Sequence, residues 1–399
     1  MKKVVLAFSG GLDTSYCVKY LSKEKNLKVY SVLVNTGGFS TDELNKINEH
    51  AKMLGVKEHE NIDVIEKYYN ECIRFLIYGN VLKNDTYPLS VSAERVFQAM
   101  AIAQYAKEMG ADYIAHGSTG AGNDQVRFDM SFNTIAPDIT ILTPIRDLQL
   151  SREQEIDFLK NHGVEMDWQK TKYSINQGLW GTSVGGVETL TSDQELPDSA
   201  YPTQVSKTEK QQIDLYFEKG EFAGFNGKTF TNKIEAIEAL NSLVAPFGIG
   251  RDVHVGDTII GIKGRVGFEA AAPMLIIKAH HLLEKHVLTK WQIHWKKQLA
   301  DWYGMMLHEG HFLDPVMRDI ESFLENTQSM VSGTVFVKLS PNNFKLKGIE
   351  SKHDLMSPEF GAYGEMNLGW TANDVKGFSK IISNQTRIYK TINSDEKND

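Results

Sequence analysis

The chain has 399 residues, 41% hydrophobic and 24% charged, with a net charge of −8. That is enough for two or more well-cored domains, and it offers no basic face of the kind nucleic acid requires. Two cysteines, Cys17 and Cys72, are too few for a disulfide framework or a paired-cysteine metal site. The apolar start is too short for a signal peptide and no run reaches the ~18 residues of a membrane span, so a reducing cytoplasm is expected.

Taken in chain order, the first 165 residues alternate strand and helix. "VVLAF" (4–8), "VYSVLVN" (29–35), "DYIAHG" (112–117) and "ITILTPI" (139–145) are short apolar runs, mostly β-branched, suited to buried parallel strands. A helix follows Asp13, with Cys17 on it as an inert buried thiol. Another begins at "STDE", where Ser40 and Glu43 are spaced for a capping box. "SAERVFQAMAIAQYAKEMG" is a long helix ending at Gly110. "SREQEIDFLKNHG" has Ser151 and Gln154 in capping-box register and stops at Gly163. This alternation implies an α/β fold with a parallel sheet, whose ligands gather at strand carboxyl ends.

The texture changes near residue 166. The 185–204 stretch reads as irregular loop, and "IDLYFEKGEFAGFNGKTF" reads as antiparallel strands with glycine turns. Helical patterns follow at 232–245, at 273–286, and at 289–307 with Thr289 and Gln292 as a capping box. Asp314 and Pro315 fit N-cap and N1 of a further helix. This is a second, α+β domain over 166–365. Residues 366–399 end the chain with one amphipathic helix capped by Thr371 and Asp374. Its apolar side is Val375, Phe378, Ile381, Ile382, Ile388 and Ile392. It either packs on its own domain, the reading sequence alone favours, or crosses to a neighbouring subunit.

Two histidine clusters, His280–His281 and "HEGH" (308–311), lack zinc-protease spacing. They read as structural or solvated, with Gly310 ending a helix. Trp291, Trp295 and Trp302 follow helical spacing and are expected in the core. His116 ends a buried strand and is expected to be structural.

The chemistry concentrates at two predicted strand ends. "AFSGGLDTS" (7–15) leaves its strand through adjacent glycines, which turn the backbone through positive φ and present free N–H groups to phosphate. It lacks the lysine of the P-loop and is not GxGxxG. Instead it matches the SGGxD[ST]S loop that resembles the ATP pyrophosphatases, enzymes that split ATP between the α- and β-phosphates. Ser9, Thr14 and Ser15 can donate to pyrophosphate oxygens; Asp13 either holds Mg²⁺ or orders the loop as a first-turn carboxylate. The second end is "AHGSTGAGNDQVRFD" (115–129), where glycines allow close approach and Thr119, Asn123, Asp124 and Arg127 supply polar groups. "YPLSVSAER" (87–95) adds Tyr87, Ser92 and Arg95, and "YSINQGLWGTS" adds Ser174 and Ser183.

Together with "FEKGEF", "GIGR" and "GIKGR", these blocks make nearly the whole chain resemble the argininosuccinate synthase family. The resemblance implies an ATP pyrophosphatase-type nucleotide-binding domain over residues 1–165 followed by a synthetase domain. It implies a C–N ligase of arginine biosynthesis that condenses citrulline with aspartate through a citrullyl-adenylate, using ATP with Mg²⁺. Carried over residue by residue, Ala7, Phe8, Ser9, Gly10, Gly11, Leu12, Asp13, Thr14, Ser15, Val34 and Gly117 line ATP. Thr119, Asn123 and Asp124 hold aspartate. Tyr87, Ser92, Asn123, Arg127, Ser174 and Ser183 hold citrulline, and Asp13 and Arg127 carry the catalytic charge. A homotetramer in which the terminal helix reaches a neighbour is implied as well.

The chain departs from the family pattern at Ala121, in place of a lysine, and at Val91, in place of a threonine. It departs again at Gly256 and Phe268, in place of a glutamate and a tyrosine that contact citrulline. Two readings stay open at this point: another acid, Asp257 or Glu269, replaces the lost contact, or the substrate carries an acylated α-amine. Among rival functions, a tRNA-thiolating enzyme needs cysteines and a basic RNA face that are absent. A nucleotide-binding relic without ligase activity conflicts with the intact Ser9, Asp13, Asn123, Asp124 and Arg127.

Overall fold

The computed structural model describes residues 1–165, 172–356, 359, 361, 363–365 and 369–393. They divide into two compact units, residues 1–353 and 354–399.

The first unit opens with β1 (Lys3–Ala7), α1 (Leu12–Lys19), β2 (Lys28–Asn35), α2 (Thr41–Leu54), β3 (Glu58–Asp63), α3 (Ile65–Tyr68), α4 (Arg74–Gly79), α5 (Ser90–Glu108), β4 (Tyr113–Ala115), α6 (Asp124–Ile135), β5 (Thr140–Leu142), α7 (Pro144–Leu148) and α8 (Arg152–Asn161). All five strands run parallel, in the order β3-β2-β1-β4-β5. β1 is central because both its faces are apolar. The two-residue period turns Val4 and Leu6 toward the layer holding Tyr16, Cys17 and Leu159, and Val5 and Ala7 toward the layer holding Ala99 and Ala103. Val4, Val5 and Leu6 are fully buried, each stabilising by about 1.5–3 kcal/mol. The strand order reverses between β1 and β4, and that switch point opens a crevice at the carboxyl ends where ligands bind in such sheets.

The rest of the unit comprises β6 (Ser174–Gly178), β7 (Gly181–Gly185), β8 (Gln211–Glu218), β9 (Glu221–Phe225), β10 (Lys228–Thr229), α9 (Lys233–Val244), β11 (Arg251–Asp257), β12 (Lys263–Glu269), α10 (Ala271–Val287), α11 (Lys290–Glu309), α12 (Pro315–Asn326), β13 (Gly333–Ser340) and β14 (Asn343–Glu350). They make two antiparallel sheets, β11-β12-β7-β6 and β10-β9-β8-β13-β14. The tight hairpins turn at Lys219–Gly220 and Asn226–Gly227, pairs in which both residues take positive φ, as two-residue turns matching strand twist require. The fold is therefore the expected α/β parallel-sheet domain joined to α+β structure.

Local signals place most ends well. The capping boxes at Ser40–Glu43, Ser151–Gln154, Thr289–Gln292 and Thr371–Asp374 all form, and Asp314 caps α12 with Pro315 at N1. Four differences have physical causes. β3 has a polar, mostly exposed sequence because it is an edge strand. The 139–145 run leaves the sheet after Leu142, because Pro144 opens α7. Trp291, Trp295 and Trp302 are not core residues: they lie on the solvent side of α11, 64%, 57% and 59% exposed. The terminal amphipathic segment is two helices, α13 (Ala372–Ile382) and α14 (Asn384–Ile392), with a break at Ser383, and its apolar residues are exposed.

Candidate active site

A cavity of about 1060 Å³ lies over the switch point, walled by the β1 and β4 ends, α5, α6, β6, β7, β11, β12 and the end of α11. It is large enough for a nucleotide with two small substrates.

At one end is the glycine turn. Gly10 has φ +79°, and Gly11, at −76° and 176°, is the N-cap of α1 without a side-chain cap. The first N–H groups of α1 thus have no side-chain cap among the described residues, while Asp13 occupies its first turn. Ser9 and Thr14 hydroxyls stand 3.4 Å apart on the cavity wall. Ser15, by contrast, is buried; its Oγ donates to the Gly11 carbonyl at 2.8 Å and lies 2.8 Å from His50 Nε2. It tightens the turn from behind, and neither it nor Gly10 reaches the cavity wall. Behind Asp13, Glu155 is pushed up from the usual carboxylate range by burial and by the hydrogen-bonded Asp13 carboxyl beside it.

From the β4 end, Gly117, Thr119 and Asn123 reach the same cavity. Asn123 Oδ1 accepts the Ile259 N–H at 2.8 Å, tying α6 to the loop after β11. Asp124 accepts from Arg95 Nε at 3.0 Å and from Arg127 Nη1 at 2.9 Å. Enclosure in the cleft alone would raise its pKa, but the two guanidiniums prevail and hold it below the usual range. Arg95 also donates to Asn176 Oδ1 at 2.7 Å, joining α5 to β6. Its neighbour Glu94 is buried, with Oε1 unpaired among the described residues, and burial pushes it up to about 8. His116 lines the cavity, lies against Asp129 at 3.0 Å and accepts the Ser118 N–H.

The far end is built from long-range contacts. The buried Arg127 donates Nε to the His308 carbonyl at 2.9 Å. Tyr87 is fixed by a strained connection: Leu89 has φ +62°, and the Tyr87 hydroxyl accepts the Val91 N–H at 3.1 Å, capping α5. The Tyr87 ring stacks on His254 at 5.2 Å and meets Phe268 at 5.5 Å. Val34, Ser92, Ser174 and Ser183 line the cavity too.

Of the expected site residues, the structure thus gathers all but Gly10 and Ser15 around one space. His254 and His308 were not foreseen there; the one signal for His308 was its place before Gly310, a helix end. Both rings lie in the cavity wall. Burial, then Arg127, lowers His308 to about 3, and burial, then Lys83, lowers His254, so both are neutral. Among the described residues no group of three metal-ligating side chains occurs. Glu269 is held by Arg251 at 2.9 Å and does not line the cavity; Asp257 lines it but is exposed and pairs with Lys263 at 2.6 Å.

Comparison with known proteins gives two family matches: residues 3–165 to the arginosuccinate synthase N-terminal HUP domain, and 173–389 to the arginosuccinate synthase C-terminal domain. Among curated proteins the chain is similar to argininosuccinate synthase of Dictyoglomus thermophilum, 36% identical over 391 residues and 97% of both chains. It is 35% identical to that of Methanocaldococcus jannaschii over 97% of both chains. With that of Sulfolobus acidocaldarius it shares 33% identity over 95% of this chain and 96% of the relative.

Proposed function

The chain belongs to the argininosuccinate synthase family, C–N ligases that join citrulline to aspartate with ATP, and from that premise we propose how its cleft carries out the reaction. The observation that carries the reading is the meeting of the glycine turn with Asn123, Asp124 and Arg127 at the sheet's switch point. ATP lies against Ala7, Phe8, Ser9, Gly11, Leu12, Asp13, Thr14, Val34 and Gly117, with Gly10 and Ser15 shaping the turn from behind. The α1 N–H groups and the Ser9 and Thr14 hydroxyls face its β- and γ-phosphates. Asp13 is the loop's own carboxylate that would hold Mg²⁺, and the ion would supply neutralisation of phosphate charge. The ureido substrate lies along Tyr87, Ser92, Asn123, Arg127, Ser174 and Ser183, its carboxylate on Arg127. Aspartate is held by Thr119, Asn123 and Asp124.

The ureido oxygen attacks the α-phosphorus, and the bond to the β-phosphate breaks, releasing pyrophosphate. The aspartate amine, having lost a proton, then adds to the activated carbon and AMP leaves. The protein's part is positioning and charge stabilisation, since the α1 N-terminus faces the departing pyrophosphate with dipoles already oriented. Family membership and the apolar outward sides of α13 and α14 support assembly as a homotetramer, and no helix among the described residues is long and apolar enough to cross a membrane. A cytoplasmic setting completes the reading.

Incubation with α-labelled ATP, aspartate and a panel of ureido compounds tests it. AMP and pyrophosphate should form only when both co-substrates are present. ADP with orthophosphate, or nucleotide cleavage indifferent to aspartate, would overturn the assignment.

A further inference from the structure

We propose that His50, on α2, is a positioning residue for ATP cleavage: through the buried Ser15 hydroxyl it aims and polarises the first peptide group of α1 toward the pyrophosphate. The inference rests on the reading above, in which the α1 N-terminus faces the β- and γ-phosphates.

The path runs through three groups. Ser15 is fully buried, and its Oγ lies 2.8 Å from the Gly11 carbonyl oxygen and 2.8 Å from His50 Nε2. A hydroxyl has one hydrogen to give. Spent on the carbonyl, it leaves Oγ as an acceptor, which assigns the ring hydrogen of His50 to Nε2, the donor. The Gly11 carbonyl in turn takes three donors: Ser15 Oγ, the Ser15 N–H at 3.0 Å and Thr14 Oγ1 at 3.2 Å. That carbonyl shares a planar peptide group with the Leu12 N–H, and the two point in opposite directions. With the carbonyl turned into the helix, the N–H points out past its N-terminus, where Gly11 and Leu12 line the cavity.

Hydrogen bonds in such a chain strengthen one another where the dielectric is low. Donation by His50 makes Ser15 a better donor, and the polarised peptide group makes the Leu12 N–H a better one. The gain is greatest as negative charge collects on the departing pyrophosphate, so it lowers the barrier more than it tightens ATP. Packing holds the ring for this task. His50 and Ile47 neighbour each other on one face of α2, and a Cβ on Gly10 would stand 3.4 Å from Ile47 Cγ1 and 3.9 Å from His50 Cδ2. The His50 ring also lies 6.0 Å from the ring of Phe8, just before the turn.

The test compares His50→Phe, which keeps a ring and removes the donor, with His50→Gln, which keeps a donor. In His50→Phe, kcat for AMP formation should fall about fivefold and the inhibition constant of added pyrophosphate should rise by a similar factor. The KM values for aspartate and the ureido substrate should not move, and His50→Gln should recover most of the loss. Adding His50→Phe to Ser15→Ala should slow the enzyme no further, because the path is already cut. An unchanged kcat in His50→Phe, equal losses in the two variants, or additivity with Ser15→Ala overturns the proposal. Should His50→Phe fail to fold, nitrogen NMR of the histidine-labelled native enzyme decides: hydrogen on Nε2 of His50 upholds the path, and hydrogen on Nδ1 alone overturns it. None of these results touches the ligase reading, which stands or falls on the products of the unaltered enzyme.

Discussion

The two ends of the cleft are built in opposite ways. The nucleotide end comes from one contiguous stretch, residues 7–15, and works through backbone N–H groups that a strand-to-helix turn leaves without a side-chain cap. The amino-acid end draws Tyr87, Arg127, His254 and His308 from α6, β11, the end of α11 and the loop before α5, each held by contacts distant in sequence. A backbone site tolerates change at its neighbours because every residue carries the same amide. A side-chain site changes its chemistry with each substitution. Variation in what this protein binds therefore belongs at the amino-acid end, and variation in how it cleaves ATP is confined.

That division can be broken by experiment. The largest effect is expected from Arg127→Ala, which leaves the His308 carbonyl unpaired and deprives the ureido substrate of its cation. Loss of a buried, hydrogen-bonded charge costs about 3–5 kcal/mol, or roughly 10³-fold in kcat/KM for the ureido compound. The KM for ATP should hold within about twofold by the same localisation of the charge. An equal rise in both KM values would erase the distinction between the ends.

Glu94→Gln probes the helix that serves both. Glu94 is protonated in the fold up to about pH 8 and ionises near 4.5 when unfolded. The folded state thus binds the extra proton between those values, and stability falls as pH rises through that window. The amide removes this slope. It should stabilise by roughly 2–4 kcal/mol at pH 8 and by almost nothing at pH 4.5, as read by denaturant unfolding. A flat difference across pH would mean that Glu94 is ionised in the native cleft.

Gly10→Ala tests the turn. A Cβ has room, with Ile47 at 3.4 Å, but φ is +79°, and a left-handed non-glycine residue costs about 1–2 kcal/mol. The KM for ATP should rise about tenfold, and the KM for the ureido substrate should not move. The smallest effect is expected from Ser40→Ala, which removes the cap of α2 at the nucleotide end. About 1 kcal/mol of stability should be lost, visible as a Tm lower by a few degrees, with both KM values unchanged.

How much of this was legible depended on range. Gly10–Gly11, Asn123–Asp124 and Arg127 announced themselves because their neighbours in sequence are their neighbours in space. His254 gave no signal: its partner Tyr87 is 167 positions away, and a lone histidine in an alternating strand looks like any other. Ser15 misled in the other direction, since a hydroxyl in a phosphate loop looks available until His50 is seen behind it. Trp291, Trp295 and Trp302 share a helical stripe, and only packing decides whether a stripe faces core or solvent.

The amino-acid sequence by itself determined the alternation of strand and helix, the caps, the glycine turn and the family. These rest on propensities and hydrogen bonds that close within a few residues. The tertiary structure alone decided which carboxylates are already spoken for and which histidines are buried against the cleft. Those properties are set by burial and by charges brought together from distant parts of the chain, and no local pattern encodes them.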